Sequence, residues 1–359
     1  MRIEKHNSSL NNRNSNIEFL RIISMCGIIS LHYFNPSLGG ITQNVVFPSF
    51  SWLFSFFCNS FTVPMVNCFV LITGYFMVSK TESKHSRILE IIEMTTLYGV
   101  SSYLIAVIAG HANLSWQECI YSIMPFLAGR RWFVQTYVIL LLIAPFLSKV
   151  LLQLKENEYK YLVCVLVSVF SLWYSIGKNT SIFRLPISSP VSDNGYGIQN
   201  FVLLFILGGW INRFRQLSFF KLSNISYLVI YLVSSIVTFI NSYFSDPFGY
   251  AYITNIVGAC ALFLFFVNLP VRHNEIINRI SKATLDAYFV HSEKWTSGLL
   301  ISHLLFGEAV VDKPIMIPHM IITIIVIWMI GYLMYCIRKW LFRTTGIYKL
   351  NSRIKEFSI

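Results

Sequence analysis

A chain of 359 residues, 55 % of them hydrophobic and only 12 % charged, with a mean hydropathy of +0.59, is too apolar for a water-soluble domain and reads as a polytopic membrane protein. Its net charge of +12 does not indicate a nucleic-acid partner, because the lysines and arginines fall in short clusters between apolar runs, the pattern that sets membrane orientation. The seven cysteines lie nearly all in apolar stretches without ligand-type spacing, which indicates neither a metal site nor a disulfide framework.

In chain order, residues 1–15 form a polar, asparagine-rich tail, expected on the cytoplasmic side. Spans of near-membrane length then follow over 17–36, 50–78, 88–109, 133–152, 160–177, 198–212, 225–244, 250–270, 285–306 and 317–337. The expected fold is therefore an all-α polytopic membrane protein, a bundle of about ten transmembrane helices with both termini cytoplasmic. Its membrane domain covers residues 16–340, and a basic cytoplasmic tail covers 341–359. The first apolar run is followed by further spans and not by a cleavage site, so no cleavable signal is expected. With the N-terminus inside, the segments expected outside carry only Arg130, Arg131, Lys178, Arg184 and Lys313, and the inner segments carry nearly all the other cations. No long extramembrane region remains, so chemistry is expected in or beside the bundle.

The first span, NIEFLRIISMCGIISLHYF, carries Glu18 and Arg21 near one end and His32 near the other. Arg21 and His32 are eleven positions apart, which on a helix places them about 20° from eclipsed and about 16 Å apart along one face. Ionisable groups at membrane depth are costly and usually face protein or a water-filled cavity. His32 is either a histidine hydrogen-bonded between helices or a general base or nucleophile reachable from outside. Arg21 either pairs with Glu18 or stands as a fixed cation at the inner end of a pathway that His32 terminates.

The second span carries Asn59, Thr62, Asn67, Thr73 and Gly74, with Pro64 inside it. Each is an ordinary packing residue or part of a polar lining. Lys84 and Arg87 follow, three apart, as topology-setting charge or as a clamp for an anionic cosubstrate. Arg130 and Arg131, beside Trp132 and Phe133, run against the inward bias. They are an interfacial anchor or a binding surface for an anionic or sugar substrate with Trp132 as a stacking platform. Near the ninth span, SKATLDAYFVHSEKW gathers Asp286, His291, Glu293 and Lys294, as structural ion pairs or a second histidine and carboxylate site.

The arginine-x10-histidine spacing of Arg21 and His32 resembles the motif of the membrane acyltransferase-3 family, the bacterial polysaccharide O-acyltransferases. Four further segments resemble that family in order: NCFVLITGYFMV, RRWFVQTYVILLLIAPFL, FVLLFILGGWINR and ATLDAYFVH. The family's cytoplasmic arginine-x-x-arginine is matched here by Lys84-x-x-Arg87, and the chain resembles the stand-alone type without an extracytoplasmic esterase-like domain.

The resemblance implies a ten-span acyltransferase of the bacterial inner, cytoplasmic membrane. It would move an acyl group, acetyl by default, from cytoplasmic acyl-CoA to a hydroxyl of a cell-surface or lipid-linked polysaccharide. Acyl-CoA would be a cosubstrate, with no bound cofactor or metal, and the partners would be the glycan and the lipid bilayer. Catalysis would fall to His32 and Arg21. Donor binding would fall to Lys84, Arg87 and Arg21, and acceptor binding to Trp132, Arg130, Arg131 and Asn67. The alternative is a transporter or flippase of lipid-linked sugars; such proteins often show inverted repeats, and none is visible here.

Overall fold

The computed structural model describes residues 14–35, 40, 45–81, 85–126, 129, 131–179, 188–189, 193–217, 221–270, 273–297, 299–347 and 351. Among these the regular elements are helices and no strand occurs. In chain order they are α1 (Ser15–Phe34), α2 (Phe50–Met77), α3 (His85–Ile108), α4 (Trp116–Ile123), α5 (Trp132–Gln153) and α6 (Glu156–Lys178). Then come α7 (Ile198–Phe214), α8 (Asn224–Asn241), α9 (Ile253–Val267), α10 (Glu275–Ile280), α11 (Thr284–Ser292) and α12 (Met316–Thr344). Among the described residues seven helices, α1, α2, α3, α5, α6, α8 and α12, are long and apolar enough to cross a membrane, while α7 and α9 are apolar but shorter.

The chain divides into two compact units. The first comprises residues 1–27, 59–81 and 144–284. Here the start of α1 is tied down by side chains that satisfy exposed backbone and amide groups. Ser15 donates to Asn278 Oδ1 at 3.0 Å and accepts from the Asn274 backbone N–H at 2.9 Å, and Asn16 donates to the Phe266 carbonyl at the end of α9 at 2.9 Å. Helices α2 and α7 cross at glycines contributed by both. A methyl group on Gly74 would overlap the backbone of Phe205, and one on Gly208 would overlap the backbone of Leu71. Small residues let helix backbones approach where lipid supplies no hydrophobic force between helices.

Pro64 lies inside α2, where its missing N–H weakens the helical ladder. Gly258 of α9 packs against its ring, and the Tyr231 hydroxyl donates to the nearby Phe61 carbonyl at 2.5 Å. Arg213, in the last turn of α7, donates to the carbonyls of Leu151 and Leu154 near the end of α5. A guanidinium is well suited to satisfying such terminal carbonyl groups.

The second unit comprises residues 28–58, 82–143 and 285–359. Its apolar centre includes Tyr33 and Phe34 from the end of α1 with Ile301 and Met316. The Tyr33 hydroxyl and His319 Nδ1 lie 2.9 Å apart. Ser51 and Asp312 exchange two hydrogen bonds, Ser51 N–H to Asp312 Oδ1 at 2.9 Å and Asp312 N–H to Ser51 Oγ at 2.7 Å.

The stretch expected as the ninth span, residues 285–306, is not one helix. Helix α11 ends at Ser292, a turn follows in which Thr296 and Ser297 N–H groups both donate to the Glu293 carbonyl, and a π-helical segment occupies Leu299–Leu304. The break coincides with the consecutive polar residues Ser292, Glu293 and Lys294. Glu293 is drawn sideways into an ion pair with Arg131, and Lys294 lies 3.5 Å from Glu118. Non-helical backbone at membrane depth is tolerated where it is buried in protein or lines a cavity, and both Glu293 and Ser297 are buried. Helix α12 also runs on to Thr344, beyond the expected 317–337.

Candidate active site

Helix α11 presents its chemistry on two faces, because residues three, four and seven apart share a side of a helix. Asp286, Phe289 and Glu293 form one series, and Ala287, Tyr288 and His291 lie on the other side.

On the second face His291 is fully buried, and its Nδ1 lies 2.6 Å from the Ala287 carbonyl oxygen one turn back. A carbonyl only accepts, so the ring nitrogen must carry the proton there, and in the neutral ring Nε2 keeps its lone pair. That Nε2 is shut off from solvent and makes no hydrogen bond. The His32 ring stands 4.8 Å away between centroids, tilted by 52°, and its Nδ1 is likewise buried and without a hydrogen-bond partner. Tyr288 completes the cluster, 6.3 Å from His32 and 6.0 Å from His291, with Phe133 of α5 6.0 Å from it on another side. Two imidazoles with uncommitted nitrogens in an aromatic enclosure form an arrangement suited to taking and passing a proton.

The first face of α11 is a buried ionic ladder. Arg338 of α12 clasps Asp286 with two parallel bonds, Nε to Oδ1 at 2.7 Å and Nη2 to Oδ2 at 2.9 Å, and Asp286 is 0 % and Arg338 4 % exposed. The Tyr98 hydroxyl also donates to Asp286 Oδ1, at 2.9 Å, and its ring stacks on Phe289 at 5.0 Å. Beyond Phe289, Arg131 pairs with Glu293, donates to the Thr95 carbonyl and lies over the Phe289 ring, while Ser102 donates to Glu293 Oε2 at 3.3 Å. At the other end Glu90 lies 3.5 Å from Arg338 and accepts from Arg87 at 2.7 Å. Charges this deep are tolerated only when paired and hydrogen-bonded.

The residues singled out in the sequence fall as follows. His32 lies in the histidine cluster of the second unit. Arg21 pairs with Glu18 at 3.0 Å within α1 and keeps a side chain 32 % exposed, in the first unit. Asn67 is buried in the first unit and donates to the Tyr250 carbonyl at 2.9 Å, with the Asn200 amide 3.5 Å from its oxygen. Arg87 is an exposed-side partner of Glu90. Arg131 is only 6 % exposed and committed to Glu293, and Trp132 is half-buried with its ring 5.6 Å from Phe133. Lys84 and Arg130 lie outside the described residues. Tyr288 was not singled out, although it sits in the same ATLDAYFVH segment as His291, three residues before it. Arg338 has no acidic neighbour in the sequence to mark it, because its partner, Asp286, lies 52 positions away.

Comparison with known proteins gives a match to one family, described as an acyltransferase domain, acyltransferase-3, over residues 14–338. Curated proteins and solved structures give no match.

Proposed function

Since the chain belongs to the acyltransferase-3 family, we propose that it is a membrane O-acyltransferase that moves an acyl group, acetyl by default, from cytoplasmic acyl-CoA to a hydroxyl of a cell-surface or lipid-linked polysaccharide. It would work in the bacterial cytoplasmic membrane through about ten spans, with both termini inside. The observation that carries this reading is the His32–His291 pair, whose rings stand 4.8 Å apart with a buried, uncommitted nitrogen on each.

In this mechanism one imidazole takes the proton of the acceptor hydroxyl as that oxygen attacks the thioester carbonyl. The tetrahedral intermediate collapses, the carbon–sulfur bond breaks, and the CoA thiolate recovers the proton from the imidazolium. His291, with its Nδ1–H held on Ala287, is arranged to receive or relay that proton through Nε2. The Tyr288 hydroxyl is a candidate donor to the developing oxyanion. Arg21 stands eleven residues before His32 on the same helix, about 16 Å along its axis, a span that an extended pantetheine arm can bridge. In this reading Arg21, with Arg87 and Lys84, meets the anionic donor, and Trp132, Arg130 and Asn67 remain candidate acceptor contacts. Arg131 acts through Glu293. Family membership does not favour a flippase.

The test is release of CoA thiol from acetyl-CoA by membranes holding the full chain, paired with NMR of the glycan from strains with and without the gene. Acyl transfer predicts thiol release that depends on glycan and loss of one O-acyl resonance in the deletion strain. No thiol release, with unchanged glycan, would sink the assignment.

A further inference from the structure

The mechanism leaves unused a pocket in the second unit lined by Gly99, Ser102, Ser122, Arg131, Glu293 and Trp295, among others. Three lining residues carry polar atoms that are shut off from solvent and make no hydrogen bond, Ser292 Oγ, Glu293 Oε1 and Trp295 Nε1; a hydroxyl both donates and accepts, so the two atoms of fixed sense are Glu293 Oε1 and Trp295 Nε1. Glu293 itself is 4 % exposed, and its other oxygen, Oε2, is already taken by Arg131 and Ser102. A buried acceptor and a buried donor left unmatched each cost free energy that a bound group can recover. The Trp295 ring already has neighbours, Lys294 Nζ at 4.3 Å from its centroid and the tilted Tyr103 ring at 5.5 Å. Its indole N–H is the polar atom of the ring that has no partner.

The chemistry of the two atoms selects the ligand. A carboxylate oxygen requires a donor and an indole N–H requires an acceptor. An ammonium group would satisfy only the first, and a carboxylate or phosphate only the second while facing Glu293. A hydroxyl group satisfies both. Glu293 is two residues from His291 but on the opposite face of α11, so the hydroxyl held at Glu293 belongs to a different part of the glycan from the one that reacts at the histidines.

We propose that this pocket is an acceptor subsite, in which Glu293 Oε1 accepts from and Trp295 Nε1–H donates to a non-reacting hydroxyl of the glycan, setting which hydroxyl is presented for acylation. The inference rests on the acyltransferase reading above. Its test uses membranes containing the full chain, acetyl-CoA as donor, and glycan extracted from the deletion strain, with its lipid-linked precursors, as acceptor. Trp295→Phe removes the N–H and keeps the ring; Glu293→Gln keeps the shape and changes the acceptor. The half-saturating glycan concentration is expected to rise about tenfold in Trp295→Phe, the scale of one hydrogen bond, with the half-saturating acetyl-CoA concentration unchanged. NMR of the product is expected to show acyl groups spread to other hydroxyls. Glu293→Gln is expected to do the same; if it does not accumulate, because Arg131 has lost its partner, Trp295→Phe decides alone.

An unchanged glycan dependence and position in Trp295→Phe would mean the pocket holds only water and would overturn the proposal. An equal loss for both substrates would overturn it in favour of a structural role. A wild-type chain that transfers nothing would overturn the acyltransferase reading and this inference together.

Discussion

His32 and His291 come from helices far apart in the sequence, yet their rings stand 4.8 Å apart, and each has a buried nitrogen without a hydrogen-bond partner. Neither ring is explained by a structural bond at that atom, which separates this pair from His319, whose two nitrogens face Tyr33 and the Leu305 carbonyl.

Replacing His32 or His291 by Ala is expected to lower glycan-dependent thiol release by about 10²–10⁴-fold, the range of general acid–base catalysis, with the protein accumulating as in wild type. If the two act as one unit, the double variant falls little further than either single one. Fully additive losses would show that they do not share a step.

Arg21 and Glu18 make a direct test of donor binding against pairing within α1. Arg21→Ala is expected to raise the half-saturating acetyl-CoA concentration at least about tenfold, as loss of a charge-assisted contact would, whereas Glu18→Ala, which frees the guanidinium, is expected to leave it unchanged. Equal effects from both variants would reduce Arg21 to a structural partner of Glu18.

The Asp286–Arg338 clasp is expected to matter for stability. Arg338→Ala leaves a fully buried carboxylate uncompensated, at a cost of about 3–5 kcal/mol. The double change Asp286→Asn with Arg338→Met should recover most of that loss in detergent-solubilised thermal unfolding. Failure of the double variant to improve on Arg338→Ala would place the importance of Arg338 elsewhere, in its contact with Glu90.

The crossing of α2 and α7 has no room for a methyl group at either glycine. Gly74→Ala is expected to destabilise the protein by about 1–3 kcal/mol through overpacking against the Phe205 backbone, read as a lower unfolding midpoint. Gly110→Ala provides the contrast. Nothing lies within 4 Å of a Cβ built there, and its cost comes only from a backbone φ of +74.

Asp312 carries a prediction about acid. The Ser51 backbone N–H holds its carboxyl below the ordinary aspartate range, and charge is favoured in the folded state. The clasp is therefore complete above the unfolded-state pKa, and its contribution is lost as pH falls through the depressed folded value. Asp312→Asn keeps an oxygen for Ser51 and suits the left-handed φ of 56 at this position. The variant should lose that part of the acid dependence of the unfolding midpoint; an acid profile superimposable on that of wild type would show that Asp312 is not its source.

How much of this was written in the sequence differs from element to element. The long apolar helices and the family were legible, because a membrane span has a length and a composition and the motifs stand in order. His32 was legible as a costly residue in such a span. Its companion was harder to see: SKATLDAYFVHSEKW displays its ionisable residues plainly, but only the folded chain brings α1 against α11 and leaves the two nitrogens uncommitted. Arg131 shows the opposite difficulty. An arginine beside Trp132 has the same one-dimensional signature whether it anchors an interface or is buried, and the residue that decides, Glu293, is 162 positions away. The break after Ser292 was hidden for a related reason, since window-averaged hydropathy passes smoothly over Glu293 and Lys294, which pair sideways with Arg131 and Glu118 where the helix stops.

The carbonyl that holds His291 belongs to Ala287, and Ala287 is the residue on which α12 rests at Gly331, where an added methyl group would collide with the Ala287 backbone. The aim of the imidazole is thus set by the thickness of a different helix. Such a machine is calibrated by a shim: Gly331→Ala alters no reacting group and removes no charge, yet it tilts the shelf on which the proton carrier sits. Inactive variants of this protein should accordingly map to the backs of helices as well as to the residues that face the chemistry.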